Sequence, residues 1–115
     1  MANILILDDQ QEIQEILFLD LGLEGHRIVS VNSAEMVWDV LKDLRFDLVL
    51  MDLYLNGFES WDVFRDIKRK YPKLPTVLYV NESNDSIDRL KQTVSRVLSR
   101  KNGAAVNQHA MPLLH

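Results

Sequence analysis

The sequence predicts a doubly wound α/β domain, a parallel sheet with helices on both faces. Three observations carry this. Apolar runs of four or five residues, too short for helices, alternate along the chain with segments at helical spacing. The runs are apolar without alternation, as expected of strands covered on both sides. The connections are short, and right-handed crossovers then leave a doubly wound layer as the solution.

The elements follow in order. Ile4 to Leu7 reads as a first strand, and Ile13, Ile16, Leu17 and Leu21 fall at helical spacing behind it. Gly22 and Gly25 bracket the stop of that helix, and His26 to Val31 reads as a second strand rich in β-branched residues. Asn32-Ser33 supplies a cap for a second helix with the stripe Val37, Val40, Leu41 and Leu44, after which Leu48 to Met51 reads as a buried strand. Asn56-Gly57 marks a turn. Trp61, Val63, Phe64 and Ile67 line a third helix, broken by Tyr71-Pro72-Lys73-Leu74-Pro75 before a fourth strand, Thr76 to Val80. Asn81 to Ser86 is loop-like, and Ile87, Leu90, Val94, Val97 and Leu98 carry a last helix expected to fray near Asn102-Gly103. Residues 1–102 are expected to form the domain and 103–115 a tail without a period.

Composition bounds the function. The 115 residues are 47% hydrophobic and 26% charged, which suits one soluble globular domain and excludes two. There is no cysteine, so disulfides and Cys-based zinc sites are excluded, and a reducing, cytoplasmic setting is expected. A net charge of −4 has the wrong sign for a domain that neutralises nucleic-acid phosphates. The first strand meets Asp8-Asp9 with no basic leader and no apolar run approaches a span, so neither signal peptide nor membrane anchor is expected.

The candidate site is acidic. Asp8 and Asp9 directly follow the first strand and Asp52 directly follows the third, at the carboxyl ends where open α/β sheets gather their ligands. Each alone reads as a helix cap or a turn residue. Together, three converging carboxylates raise one another's pKa unless a cation sits among them, and Mg²⁺ fits that oxygen set.

The stretches Ile4-Leu5-Ile6-Leu7-Asp8-Asp9, Glu24-Gly25-His26-Arg27-Ile28-Val29 and Phe46 to Ser60 resemble response-regulator receiver domains of the chemotaxis-regulator type. The resemblance runs from residue 2 to about residue 80 and resumes in the last helix. It implies a flavodoxin-like receiver fold and a two-component function. Asp52 would accept a phosphoryl group from a histidine kinase, and Asp8, Asp9 and Asp52 would hold Mg²⁺ with the backbone carbonyl of Tyr54.

Three departures from that family stand out. Val80 occupies the switch position, where a Ser or Thr normally hydrogen-bonds the phosphoryl group; Ser83, a few residues on, is a weak substitute. Asp85 to Lys101 resembles the family's final helix, so one helix and one strand, about 20 residues by typical element lengths, are absent, with the Lys-Pro of that strand. The expected sheet order becomes 2-1-3-4. The small residues expected near Asn56 and Ser60 are partly replaced, a change read as neutral. Lys73 and Lys91 read as surface charges, and Arg96, Arg100 and Lys101 as a basic turn meeting the helix dipole.

Other readings fit less well. A phosphohydrolase with an aspartyl nucleophile would want an acid where Tyr54 stands, and a flavin carrier would want Ser, Thr and Gly where the acids stand, so no enzymatic turnover is expected. Trp38, Phe46, Trp61 and Phe64 read as core, and His26, His109 and His115 lack metal-ligand spacing. The alternative to a phosphorylated receiver is a degenerate pseudo-receiver, an interaction and dimerisation module that works without phosphorylation. An exposed fourth-strand edge invites a homodimer, by edge pairing or a swap of the last helix, unless the tail near Ala104-Ala105-Val106 covers it. The output partner is not named by the sequence.

Overall fold

The computed structural model describes residues 1–55, 60–80 and 85–102. The expectations for Asn56-Gly57, for Asn81 to Asn84 with Ser83, and for the tail 103–115 lie outside the described residues.

Strands and helices alternate as β1 (Asn3–Leu7), α1 (Gln11–Leu23), β2 (Arg27–Val31), α2 (Ala34–Asp43), β3 (Leu48–Asp52), α3 (Ser60–Lys70), β4 (Thr76–Tyr79) and α4 (Ser86–Asn102). The sheet is parallel, in the order β2-β1-β3-β4, as expected. Period-two alternation sends the two sides of each strand into separate cores. Ile4, Ile6, Leu48, Leu50, Val77 and Tyr79 face Leu17 of α1 and Leu90 and Val94 of α4. Leu5, Leu7, Val49 and Met51 face Val37 and Leu41 of α2 and Val63 and Ile67 of α3. Fully burying such a side chain contributes roughly 1.5–3 kcal/mol.

The joints explain the boundaries. Gly25 ends α1 with φ +93°, a left-handed conformation that suits glycine, while the Gly25 and His26 amides donate to Gly22 and Leu21. Ser33 caps α2 by accepting from the Met36 amide at 3.3 Å. Asp47 locks the entries of β1 and β3 together: its carboxylate accepts from the Asn3 amide at 2.8 Å, and its own amide donates to the Asn3 carbonyl at 2.7 Å.

Three expected core residues are exposed instead. Ile16 lies off the buried α1 stripe of Ile13, Leu17 and Leu21, and Leu44 stands at the C-cap of α2, past its last buried turn. Trp61 is 54% exposed because Ser60, Val63 and Ile67 set the inward face of α3, which turns position 61 outward. There it meets Phe64 edge to face, with ring centroids 5.9 Å apart. The last helix packs on its own sheet beside α1, and the Lys91 ammonium lies 3.8 Å from Asp20 and 3.9 Å from Glu24. No helix among the described residues is long and apolar enough to cross a membrane.

Candidate acidic metal centre

The order β2-β1-β3-β4 places the topological switch between β1 and β3, whose following helices α1 and α3 cover opposite faces and lead to opposite edges of the sheet. Leu7 pairs with Met51, so Asp8 continues the row beside Asp52, and Asp52 pairs with Tyr79. One row thus crosses three strands. Asp8, Asp9 and Asp52 each bring a carboxylate oxygen within 4.8 Å of the others. The sequence reading grouped these three, and the structure unites them.

Their environments differ. Asp8 is 0% and Asp52 4% exposed, while Asp9 is half-buried and lines a surface groove of about 620 Å³ with Gln11, Gln14, Glu15 and Phe18. Oδ1 of Asp8 accepts from the Gln10 amide at 2.8 Å, and Oδ2 accepts from the Tyr79 hydroxyl at 2.5 Å. Neither Asp8 nor Asp9 caps α1, in keeping with the joint reading of the three carboxylates: Gln10 is the cap residue, with no side-chain cap, and Asp8 secures the residue just before the helix. Oδ1 of Asp52 accepts from the Tyr54 amide at 3.1 Å, and the Tyr54 side chain is exposed.

Electrostatics follow from this packing. Burial pushes Asp52 up to about 6; the Tyr54 amide opposes the rise, and the charges of Asp8 and Asp9 add to it. Asp8 is also raised, chiefly by burial, with the Tyr79 and Gln10 hydrogen bonds pulling the other way. Burial and then the Asp8 charge push the Tyr79 phenol far up, so it stays a donor. The donor set, hard carboxylate oxygens around one point with excess negative charge, fits Mg²⁺ and does not suit a soft metal.

Val80 lies half-buried just past β4. Lys91 is drawn to Asp20 and Glu24 rather than to the acids. Sequence reasoning missed Tyr79 and Gln14, whose side-chain amide donates to the Asp8 carbonyl and, at 3.2 Å, to the Val31 carbonyl. Strand parity was the available signal for Tyr79, since positions 77 and 79 share the face of Ile4 and Leu48.

The response regulator receiver domain model matches residues 4–106. The transcriptional regulatory protein AfsQ1 of Streptomyces coelicolor is 34% identical over 88 residues, 76% of this chain and 38% of AfsQ1. The response regulator FleR of Pseudomonas aeruginosa is 35% identical over 77 residues, 67% of this chain and 16% of FleR. The chain therefore spans well under half the length of these relatives. Among solved structures, TrrA of Thermotoga maritima in complex with Mg(2+)-BeF is similar with TM-score 0.71 and 25% identity, covering 84% of this chain and 99% of that one. TrrA in complex with the histidine kinase ThkA matches in fold with TM-score 0.75 and 24% identity, covering 86% of this chain and 100% of that one.

Proposed function

The chain belongs to the response regulator receiver domain family of two-component signal transduction, and from that premise we propose that it accepts a phosphoryl group on Asp52 from a histidine kinase. The observation that carries the reading is the burial of Asp52 within 4.8 Å of the Asp8 and Asp9 oxygens, at the carboxyl ends of β1 and β3. Similarity to TrrA, solved with Mg(2+)-BeF, supports Mg²⁺ as the cation.

Asp8, Asp9 and Asp52 would hold that ion, together with the backbone carbonyl of Tyr54. When bound, Mg²⁺ supplies positive charge that offsets the carboxylates and the oxygens of the transferring phosphoryl group. The Tyr54 amide engages Oδ1 of Asp52 and so orients the attacking carboxylate. In transfer from phosphohistidine, the new O–P bond forms at Asp52 as the P–N bond breaks, and the departing imidazole nitrogen takes up a proton. The Asp8 carboxylate, fixed by the Gln10 amide and the Tyr79 hydroxyl, stays beside the reacting oxygen. On this reading the chain is a phosphoacceptor and not an enzyme with turnover of its own. Its output passes through a partner surface, and two copies pair through the edge of β4.

Val80, with no hydroxyl to follow the phosphoryl group, favours the pseudo-receiver as the second reading. Treatment with a small-molecule phosphodonor and Mg²⁺, followed by intact mass, separates the two. One added phosphoryl group, absent from Asp52→Asn, is expected; an unmodified wild type would leave the phosphorylation-independent module as the function.

A further inference from the structure

The ring of Tyr79 is buried on the face shared with α1 and α4. Its hydroxyl does something packing does not require. It crosses from β4 over the position of Asp52 on β3 and donates to Oδ2 of Asp8, which follows β1. A buried phenol without a partner is destabilising, and a Phe would fill the same space without that liability. The hydroxyl therefore has a role that depends on Asp8. Asp8 in turn is fully buried and held at three atoms, by the Gln10 amide, the Gln14 side chain and this phenol.

We propose that Tyr79 is the positioning residue of the acidic centre: its phenol fixes the Asp8 carboxylate for the cation and ties β4 to the metal-binding row, a link Val80 cannot make. The inference rests on the Mg²⁺ reading above. Carboxylates that ligate metals are themselves oriented by hydrogen-bond donors, and losing such a donor typically weakens metal affinity by about tenfold to a hundredfold. Tyr79 is the one side-chain donor to this carboxylate that stands on β4. A cation arriving at Asp8 thereby acts on β4, one of the two edge strands among the described residues, through this hydrogen bond.

The test is an Mg²⁺ titration of wild type and Tyr79→Phe followed by amide shifts. Wild type is expected to respond around Asp8, Asp9 and Asp52 and also along Thr76 to Val80. Tyr79→Phe, with its fold checked by circular dichroism, is expected to bind about tenfold or more weakly and to lose the β4 response. Equal or tighter binding with the β4 response intact would overturn the inference while leaving the metal site standing. A second measurement needs no variant. In wild type carrying tyrosine labelled at Cζ, the Tyr79 signal is expected to move with the same midpoint as the Asp8 amide, while that of Tyr71 stays still. A Tyr79 signal that ignores Mg²⁺ in a protein whose Asp52 amide responds defeats the inference alone. A wild type silent at every residue defeats the metal reading and the inference with it.

Discussion

Asp52 lies beside Asp8 across the β1–β3 row, and both carboxylates are buried, so burial first and the charges of Asp8 and Asp9 second raise Asp52 to about 6 in the metal-free fold. The consequence for stability has a definite sign. Between the ordinary value of 3.8 and about 6, the folded chain holds a proton that the unfolded chain has released. Stability gained from this group is thus full below pH 3.8 and is lost as pH rises through about 6. A shift of that size corresponds to on the order of 3 kcal/mol. Asp52→Asn is expected to raise the stability of the metal-free protein near neutral pH and to flatten its decline between pH 4 and 7. Urea unfolding in chelator across that range checks it; a variant that keeps the wild-type slope would refute the assignment to Asp52.

Mg²⁺ is expected to reverse the penalty by ligand linkage. Wild type at a tenfold excess over Kd should gain about 1.4 kcal/mol, whereas Asp52→Asn and Asp9→Asn should gain much less. Thermal unfolding with and without the ion reads this as a rise in Tm. Equal gains in all three proteins would place the ion elsewhere.

The acids were legible in the sequence because each stands directly after an apolar run, and the end of a buried strand is a position that sequence periodicity locates well. The row they form with Tyr79 was not. A strand residue declares its face by parity, but the atom its hydroxyl meets depends on the pairing of Asp52 with Tyr79 and on an Asp8 side chain 71 residues away. Trp61 shows a different failure. Bulk suggested the inward face of α3, while Ser60, Val63 and Ile67 set the helical phase and left the indole outside. The placement of α4 beside α1 was likewise hidden, since it rests on contacts such as Lys91 with Asp20 and Glu24 that no local pattern announces.

Trp61 gives a prediction of small effect that is informative for that reason. Truncating a half-exposed side chain removes little buried area, so Trp61→Ala is expected to cost less than about 1 kcal/mol, whereas Ile67→Ala, fully buried, should cost about 2–5 kcal/mol. Denaturant midpoints at constant m-value compare them. Comparable losses would mean that the indole packs in the core in solution.

Val80 predicts weak coupling between Asp52 and β4 after phosphorylation. Val80→Thr places a hydroxyl at the half-buried end of β4 and is expected to enlarge the amide shifts of Thr76 to Tyr79 on treatment with a phosphodonor. Unchanged shifts in a variant phosphorylated to the same extent would show that this position does not limit the response.

The edge of β4 calls for a more specific test than substituting its side chains. Val77 belongs to the core shared with α1 and α4, so a Lys there would bury a charge in the chain's own interior and report nothing about a dimer. The backbone distinguishes the two sides of the strand. The carbonyls of Pro75 and Tyr79 accept from the Val49 and Leu53 amides of the β3 side, both at 2.9 Å, and period-two alternation then turns the Leu78 amide outward. Among the described residues no strand pairs with that side. If two copies join there, the Leu78 amide is protected from exchange in the dimer and loses protection on dilution, while the Val77 and Tyr79 amides stay protected throughout. Sedimentation over the same concentrations should show the dimer dissociating in parallel. A monomer at every concentration with a rapidly exchanging Leu78 amide would mean an open edge. A monomer with that amide protected would mean that another part of the same chain covers it, and either result would end the homodimer proposal.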